Sequence, residues 1–268
     1  MISTNEDKIK IDLACAVVTH KCSKKCSFCV DNFLNTSDKC LNPETLDRFI
    51  KMLLEKTNWE APELFNKGKK EVLFLGGEPT EAPIDLLKEY GTVCKNNGVL
   101  SLMSTNGIRK DVIESLLPYY DWMQISIFNE KDLEYWSKYE NTNAKLVIDQ
   151  YTTYDKLMKM IDDIHKFGYK RSTITVYTDN FGHELNKDKQ VIDFLNSLDY
   201  VEIWHTWFSF YEGIRIKRPT IINNKLLTGY FNPILYPNGN YNGDWRTEEL
   251  DDYIPNSNWI DNVKRCVA

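Results

Sequence analysis

Six short apolar runs, at residues 11–18, 71–75, 99–104, 122–127, 172–178 and 201–207, punctuate this chain, with amphipathic stretches between most of them. That alternation constrains the fold more than any other feature. Runs of this length rich in β-branched residues read as strands, and helical stretches between them make the sheet parallel. The segment from Pro43 to Leu54 illustrates the helices: Asn42 is a suitable N-cap, Pro43 opens the first turn, and Leu46, Phe49, Ile50 and Leu53 share one face. Further helices are predicted over 84–97, 110–117, 154–167 and 187–198. Because β-α-β crossovers are right-handed, six strands with intervening helices predict a partly open α/β barrel, with its chemistry at the C-terminal strand ends. The interval 129–153 is longer than a plain connection requires. A short surface helix plus a peripheral strand is the expectation there, and a substrate-covering lid the alternative.

A chain of 268 residues with 42% hydrophobic content supports one large domain, expected over residues 1–212, and a small C-terminal extension over 213–268. The net charge of −6 gives no support for nucleic-acid binding. No 18-residue apolar run is present and the first residues are too polar for a signal peptide, so no membrane association and a cytoplasmic location are expected. Seven cysteines are an odd number, and those at 15, 40, 94 and 266 are widely scattered, which argues against a disulfide framework. Cys15 reads as a small core residue. Cys40 and Cys94 are candidate hydrogen-atom donors, with an ordinary packing role the plainer reading of each.

The chemistry concentrates at Cys22, Cys26 and Cys29, three thiols within eight residues. Three thiolates leave a [4Fe–4S] cluster one ligand short, which makes either an incomplete set or an open iron. With His20 two residues upstream, a Cys3His zinc site uses the same donor types. A second segment bears on the choice. The run Glu71 to Leu75 ends abruptly in Gly76, Gly77, Glu78 and Pro79. Glycines there permit close approach to the main chain, and a carboxylate with backbone carbonyls suits a ligand ammonium. By itself the sequence is an ordinary strand-to-helix turn.

Together, the C-x3-C-x2-C spacing with Phe28 before its last cysteine and the Gly-Gly-Glu-Pro turn resemble the hallmarks of the radical S-adenosylmethionine (SAM) superfamily, over roughly residues 10–210. The resemblance implies a partial (β/α)6 TIM-like barrel. It further implies that Cys22, Cys26 and Cys29 hold a [4Fe–4S] cluster whose unique iron takes the amino and carboxylate groups of SAM. Reductive cleavage of SAM then yields a 5′-deoxyadenosyl radical that removes hydrogen from the substrate, with a reductant protein such as flavodoxin or ferredoxin as partner. In the same light, Thr105-Asn106-Gly107, preceded by Ser104, matches a common strand ending of the family, and Ser126 occupies a position that often contacts the SAM ribose or carboxylate. Val176 is the candidate for packing around adenine and Lys145 for pairing with the methionyl carboxylate; turn capping, core packing and solvation are the plainer readings of these residues.

Aromatic residues from Trp204 to Tyr211, around His205, either line a dry substrate pocket or pack the barrel against its extension. The tail, with a turn at Pro237-Asn238-Gly239 and a lone Cys266, looks like a degenerate SPASM or twitch extension of peptide-modifying radical SAM enzymes. One cysteine cannot supply a second all-cysteine cluster, so one cluster is expected. The expected function is hydrogen abstraction from a peptide or amino-acid-like substrate, leading to epimerisation or cross-linking. A small-metabolite or nucleotide-modifying radical SAM enzyme and a zinc-stabilised interaction protein are the alternatives. A glycyl-radical activating enzyme fits less well, because the fourth strand reads Gln124-Ile125-Ser126-Ile127 instead of an acidic pattern.

Overall fold

The computed structural model describes residues 9–11, 13–24, 26, 38–59, 69–148, 151–169, 172–176, 188–197, 220–222, 225–227, 233–239 and 241–242. Two short strands, β1 (Ile9–Ile11) and β3 (Thr57–Trp59), pair in parallel by themselves. The main sheet runs in parallel through β2 (Ala14–Val17), β4 (Glu71–Leu75), β5 (Leu100–Thr105), β6 (Trp122–Ile127), β7 (Thr142–Ile148) and β8 (Ser172–Val176). Helices α1 (Pro43–Lys56), α2 (Ile84–Asn96), α3 (Lys110–Leu116), α4 (Glu130–Trp136), α5 (Tyr154–Lys166) and α6 (Lys189–Ser197) alternate with these strands. This is the α/β order of a partial (β/α)6 TIM-like barrel.

The chain then returns to the sheet's first edge. Strand β11 (Ile234–Leu235) lies parallel to β2, and β12 (Tyr241–Asn242) folds back on β11. The turn expected at Pro237 to Gly239 therefore forms, with Gly239 at φ +90° and its N–H donating to Tyr236 O at 2.9 Å. Two further strands, β9 (Thr220–Ile222) and β10 (Lys225–Leu227), make a separate antiparallel pair.

One expectation is corrected. The segment after α4 is no peripheral strand: β7 sits between β6 and β8, inside the sheet. Ala144, Leu146 and Ile148 point into the core, whereas Asn143 and Lys145 interrupt the first half of the strand and leave only Leu146 to Ile148 as a continuous apolar run. The strand at 172–176 is consequently the sixth of the series instead of the fifth. The run at 201–207 and the aromatic segment 204–211 lie outside the described residues.

The core has two sides. Between sheet and helices, Val72, Phe74, Met103 and Ile125 meet Leu46, Leu53, Leu87, Ile113 and Trp136. Phe74 is at the centre, stacked on Tyr90 at 5.5 Å and edge-on to Tyr120 at 5.7 Å. On the opposite face Cys15, Val17, Leu73 and Leu102 pack with Ile234 of the returning β11 and with Tyr236 just after it. The first helix is capped as its sequence predicts: Asn42 Oδ1 accepts from Glu44 N at 2.8 Å and from Thr45 N at 3.3 Å. Among the described residues no helix is long and apolar enough to cross a membrane.

Candidate cofactor site

At the C-terminal end of β2 the chain continues beside the Gly-Gly-Glu-Pro turn that ends β4. Val18 N donates to Leu75 O, Gly77 N to Thr19 O, and Glu78 N to Lys21 O, each at 2.8 Å. Backbone pairing of β2 with β4 thus extends past both strands, right up to Cys22. The glycines are what allow it. A Cβ on Gly76 would lie 2.3 Å from Thr19 O, and one on Gly77 would lie 2.3 Å from His20 O and 2.6 Å from Lys21 O. Gly76 also adopts φ +132°, open to glycine and hostile to other residues. The close approach anticipated from the two glycines is therefore made by the chain's own cysteine-bearing loop.

Glu78 clasps that turn to the next strand. Its Oε1 accepts from Thr80 N at 3.1 Å, Thr80 Oγ1 at 2.7 Å and Thr105 Oγ1 at 2.5 Å, and its Oε2 from Asn106 N at 2.7 Å. The carboxylate is 2% exposed, so these four donors are what balance its burial. Pro79 begins the short 3-10 turn Pro79–Glu81, and Arg109 Nη1 donates to Thr80 O at 2.6 Å. Asn106 in turn accepts from Ile108 N at 3.0 Å, and Gly107, at φ +77°, lies so near β6 that a Cβ would meet Ile125 Cγ2 at 2.8 Å. Gly76, Gly77, Glu78, Pro79 and Asn106 are thereby joined into one rigid rim over the ends of β4 and β5.

Cys22 and Cys26 are both half-buried in the loop beyond β2. Burial pushes both thiols up from their ordinary range, and the Lys24 ammonium opposes the shift at Cys26; Cys22 Sγ donates to Lys24 O at 3.3 Å. Lys24 Nζ stands 3.0 Å over the ring of Phe128, which follows β6, so the loop is tied down on that side as well. The donor chemistry fits a sulfur-ligated cluster: Cys22 and Cys26 are free, half-buried soft thiols on one loop. Phe28 and Cys29 lie outside the described residues.

The remaining candidates divide by face. Ser104 and Ser126 face the barrel interior half-buried, and Lys145 Nζ reaches Ser104 Oγ at 3.4 Å across the intervening β6. Val176 ends β8, where the register pairs it with Ile148. Cys40 is bridged to Thr19 at the root of the cysteine loop. Cys94, by contrast, is fully buried on α2 in the core between sheet and helices, on the side of the sheet away from the interior, and burial drives its thiol far up. Residue patterns alone did not single out Asn143, which shares the interior face with Ser104 and Gln124; the signal available was the polar interruption of β7.

A family model for the radical SAM superfamily matches residues 16–195, about two thirds of the chain. The chain belongs to the radical SAM superfamily, the class of enzymes that use a [4Fe–4S] cluster together with SAM. No curated protein sequence matches it. Among solved structures it is similar to native anSMEcpe with bound AdoMet and a Cp18Cys peptide, at 16% identity over 62% of this chain and 43% of that one, with a TM-score of 0.33. It is also similar to a truncated 3-deoxy-D-arabino-heptulosonate 7-phosphate synthase from Thermotoga maritima, at 13% identity over 63% of this chain and 51% of that one, with a TM-score of 0.39. In both cases the chain spans about half or less of the matched protein's length.

Proposed function

We propose that this chain binds one [4Fe–4S] cluster through Cys22, Cys26 and Cys29 and acts on a peptide or amino-acid-like substrate by hydrogen abstraction, as in epimerisation or cross-linking. One observation carries the reading: the cysteine loop and the Gly-Gly-Glu-Pro turn are zipped together by Gly77 N to Thr19 O and Glu78 N to Lys21 O. The start of the cysteine loop, up to Cys22, and the turn assigned to SAM then share one rim. When bound there, the cluster and SAM supply a 5′-deoxyadenosyl radical.

The chain's own residues do the positioning. Glu78 holds the turn against Thr105 and Asn106, and its carboxylate acts through that brace instead of touching the ligand. The backbone of Gly76 to Pro79, with Ser104, Asn106 and Ser126, is assigned to the SAM contacts, and Val176 to the adenine side, with Phe28 beside the cluster. Cys40, at the root of the cysteine loop, is the better placed of the two candidate hydrogen donors. Residues 213–268 are assigned to a degenerate SPASM or twitch-like extension without a second cluster, and the β11–β12 hairpin supports this. That resemblance motivates the peptide substrate. A flavodoxin- or ferredoxin-type protein in the cytoplasm is the proposed reductant.

Anaerobic reconstitution with iron and sulfide, followed by dithionite and SAM, tests the reading through release of 5′-deoxyadenosine. Alanine at Cys22, Cys26 or Cys29 is expected to abolish cleavage while the far-ultraviolet circular dichroism stays that of the folded barrel. Stoichiometric zinc with no bound iron and no cleavage would overturn it.

A further inference from the structure

Lys24 stands midway between Cys22 and Cys26 in the sequence, two residues from each. Its side chain leaves the cysteine loop for Phe128, the residue after β6, and sets Nζ 3.0 Å from the ring centroid. In the sheet, β4 and β5 lie between β6 and β2, the strand that leads into the loop. The contact therefore joins elements three strand spacings apart, about 14 Å along the sheet. Between them are the strand ends that carry the glycine turn and Asn106.

Two features separate this lysine from an ordinary surface cation. Lys24 is half-buried, whereas Lys21 at the start of the same loop is exposed, so solvent and salt screen Lys24 less. Among the described residues no carboxylate pairs with it. Asp132, whose field reaches the ammonium, is paired with Lys110 at 3.7 Å, and Glu78 accepts from four donors of its own. Cys26 and Cys22 act on Lys24 more strongly than either. The choice of an aromatic partner matters here. A carboxylate in place of Phe128 would hold the ammonium and cancel its charge, whereas a ring face holds it and leaves the charge in force.

Reducing a [4Fe–4S] cluster from its 2+ to its 1+ state adds one negative charge, so a cation fixed nearby favours the reduced form; local charge is one of the levers that set cluster potentials. The carboxylates at this site work the other way, since Glu78 and Glu81 both act on Cys22. We propose that Lys24, held on the face of Phe128, raises the reduction potential of the cluster carried by its loop and so favours transfer of one electron to it from the reductant protein. Lys24 supplies the charge, and Phe128 is the positioning residue. The inference rests on the cluster assignment proposed above and is independent of the substrate class.

The contact is tested first in the chain without iron. Ring current from Phe128 is expected to move the ε-methylene protons of Lys24 upfield of those of the other lysines, and Phe128→Leu to return them. The cluster-reconstituted chain, without SAM, is then titrated with titanium(III) citrate, the reduced cluster being read by electron paramagnetic resonance. Lys24→Met is expected to lower the ratio of reduced to oxidised cluster about tenfold at a fixed potential, a downward shift of about 59 mV. Phe128→Leu keeps the charge but frees it to water, so a smaller shift of the same sign is expected. Lys24→Arg, which keeps the charge and stacks on the ring, is expected to stay near the parent. Lys21→Met, which removes an exposed charge, is expected to do the same.

The proposal fails if Lys24→Met shifts the potential no further than Lys21→Met does, or if Phe128→Leu moves neither the lysine resonance nor the potential. It also fails if Lys24→Met weakens SAM binding while the SAM-free potential stays, which would assign the ammonium to SAM. Should Lys24→Met take up no cluster, the comparison of Phe128→Leu with the parent decides. A parent chain that takes up no iron sinks the cluster assignment, whereas a loaded chain whose potential ignores Lys24 and Phe128 sinks this inference alone.

Discussion

At the residue scale the site depends on Gly77 and Glu78 for different reasons. Gly77 is needed for space: its missing Cβ is where the carbonyls of His20 and Lys21 lie, and backbone cannot step aside as a flexible side chain can. Gly77→Ala is therefore expected to cost about 3 kcal/mol, the upper part of the overpacking range, measured as a lowered urea midpoint with the m-value unchanged. Glu78 is needed for acceptors. Glu78→Gln keeps the shape but turns an amide NH2 toward hydroxyl and N–H donors of Thr80, Thr105 and Asn106, leaving at least one of them unpaired in a buried place. A loss of about 2–4 kcal/mol is expected, read by the same denaturation, together with weaker SAM binding by equilibrium dialysis. The sequence announced that these two residues mattered. It did not show that the glycines admit the chain's own loop, or that the carboxylate is consumed by the chain's own donors.

At the element scale, the contact of α2 with the turn before β6 decides a substitution that helix propensity would get wrong. Gly91 lies inside α2, where alanine would ordinarily gain about 1 kcal/mol. Its Cβ would, however, fall 2.2 Å from Tyr119 O, again a backbone atom. The packing cost of about 1–3 kcal/mol outweighs the propensity gain, so Gly91→Ala is expected to lower the thermal midpoint by several degrees in differential scanning calorimetry. Elements with a continuous apolar stripe or run were legible in the sequence: α1 with its Asn42 cap, and β4 with five buried residues in succession. Strand β7 was misjudged because its inward face carries Asn143 and Lys145, and a strand that lines a polar interior alternates as a surface strand does.

At the scale of the whole molecule the outer core holds titratable groups that burial keeps protonated. Cys94, Tyr90 and Tyr120 all have their ionisation pushed up, with loss of hydration the largest cause in each. The phenols donate to backbone, Tyr120 Oη to Leu87 O at 2.7 Å and Tyr90 Oη to Leu41 O. In the unfolded chain these groups ionise near their ordinary values of 9.0 for cysteine and 10.0 for tyrosine. The folded state binds more protons above those values, so its stability is complete below about pH 9 and falls as pH rises further, by up to about 1.4 kcal/mol per pH unit for each group. Chemical denaturation between pH 8 and 11 is expected to show this decline. Tyr120→Phe is expected to flatten it, at a cost near neutrality of about 1 kcal/mol for the lost hydrogen bond.

The sequence by itself determined the parallel α/β order, the helices and the cysteine and glycine motifs, because periodicity, capping and spacing are local properties written in consecutive residues. Only the tertiary structure decided which strand is the fifth, that the tail's β11 closes the edge beside β2, and that the cysteine loop and the glycine turn share one hydrogen-bonded rim. It alone decided that Asn143 and Lys145 face the same interior as Ser104. These are relations between residues from about 20 to more than 200 positions apart, set by sheet register and by burial competed for across the whole chain, and neither is encoded in any one segment.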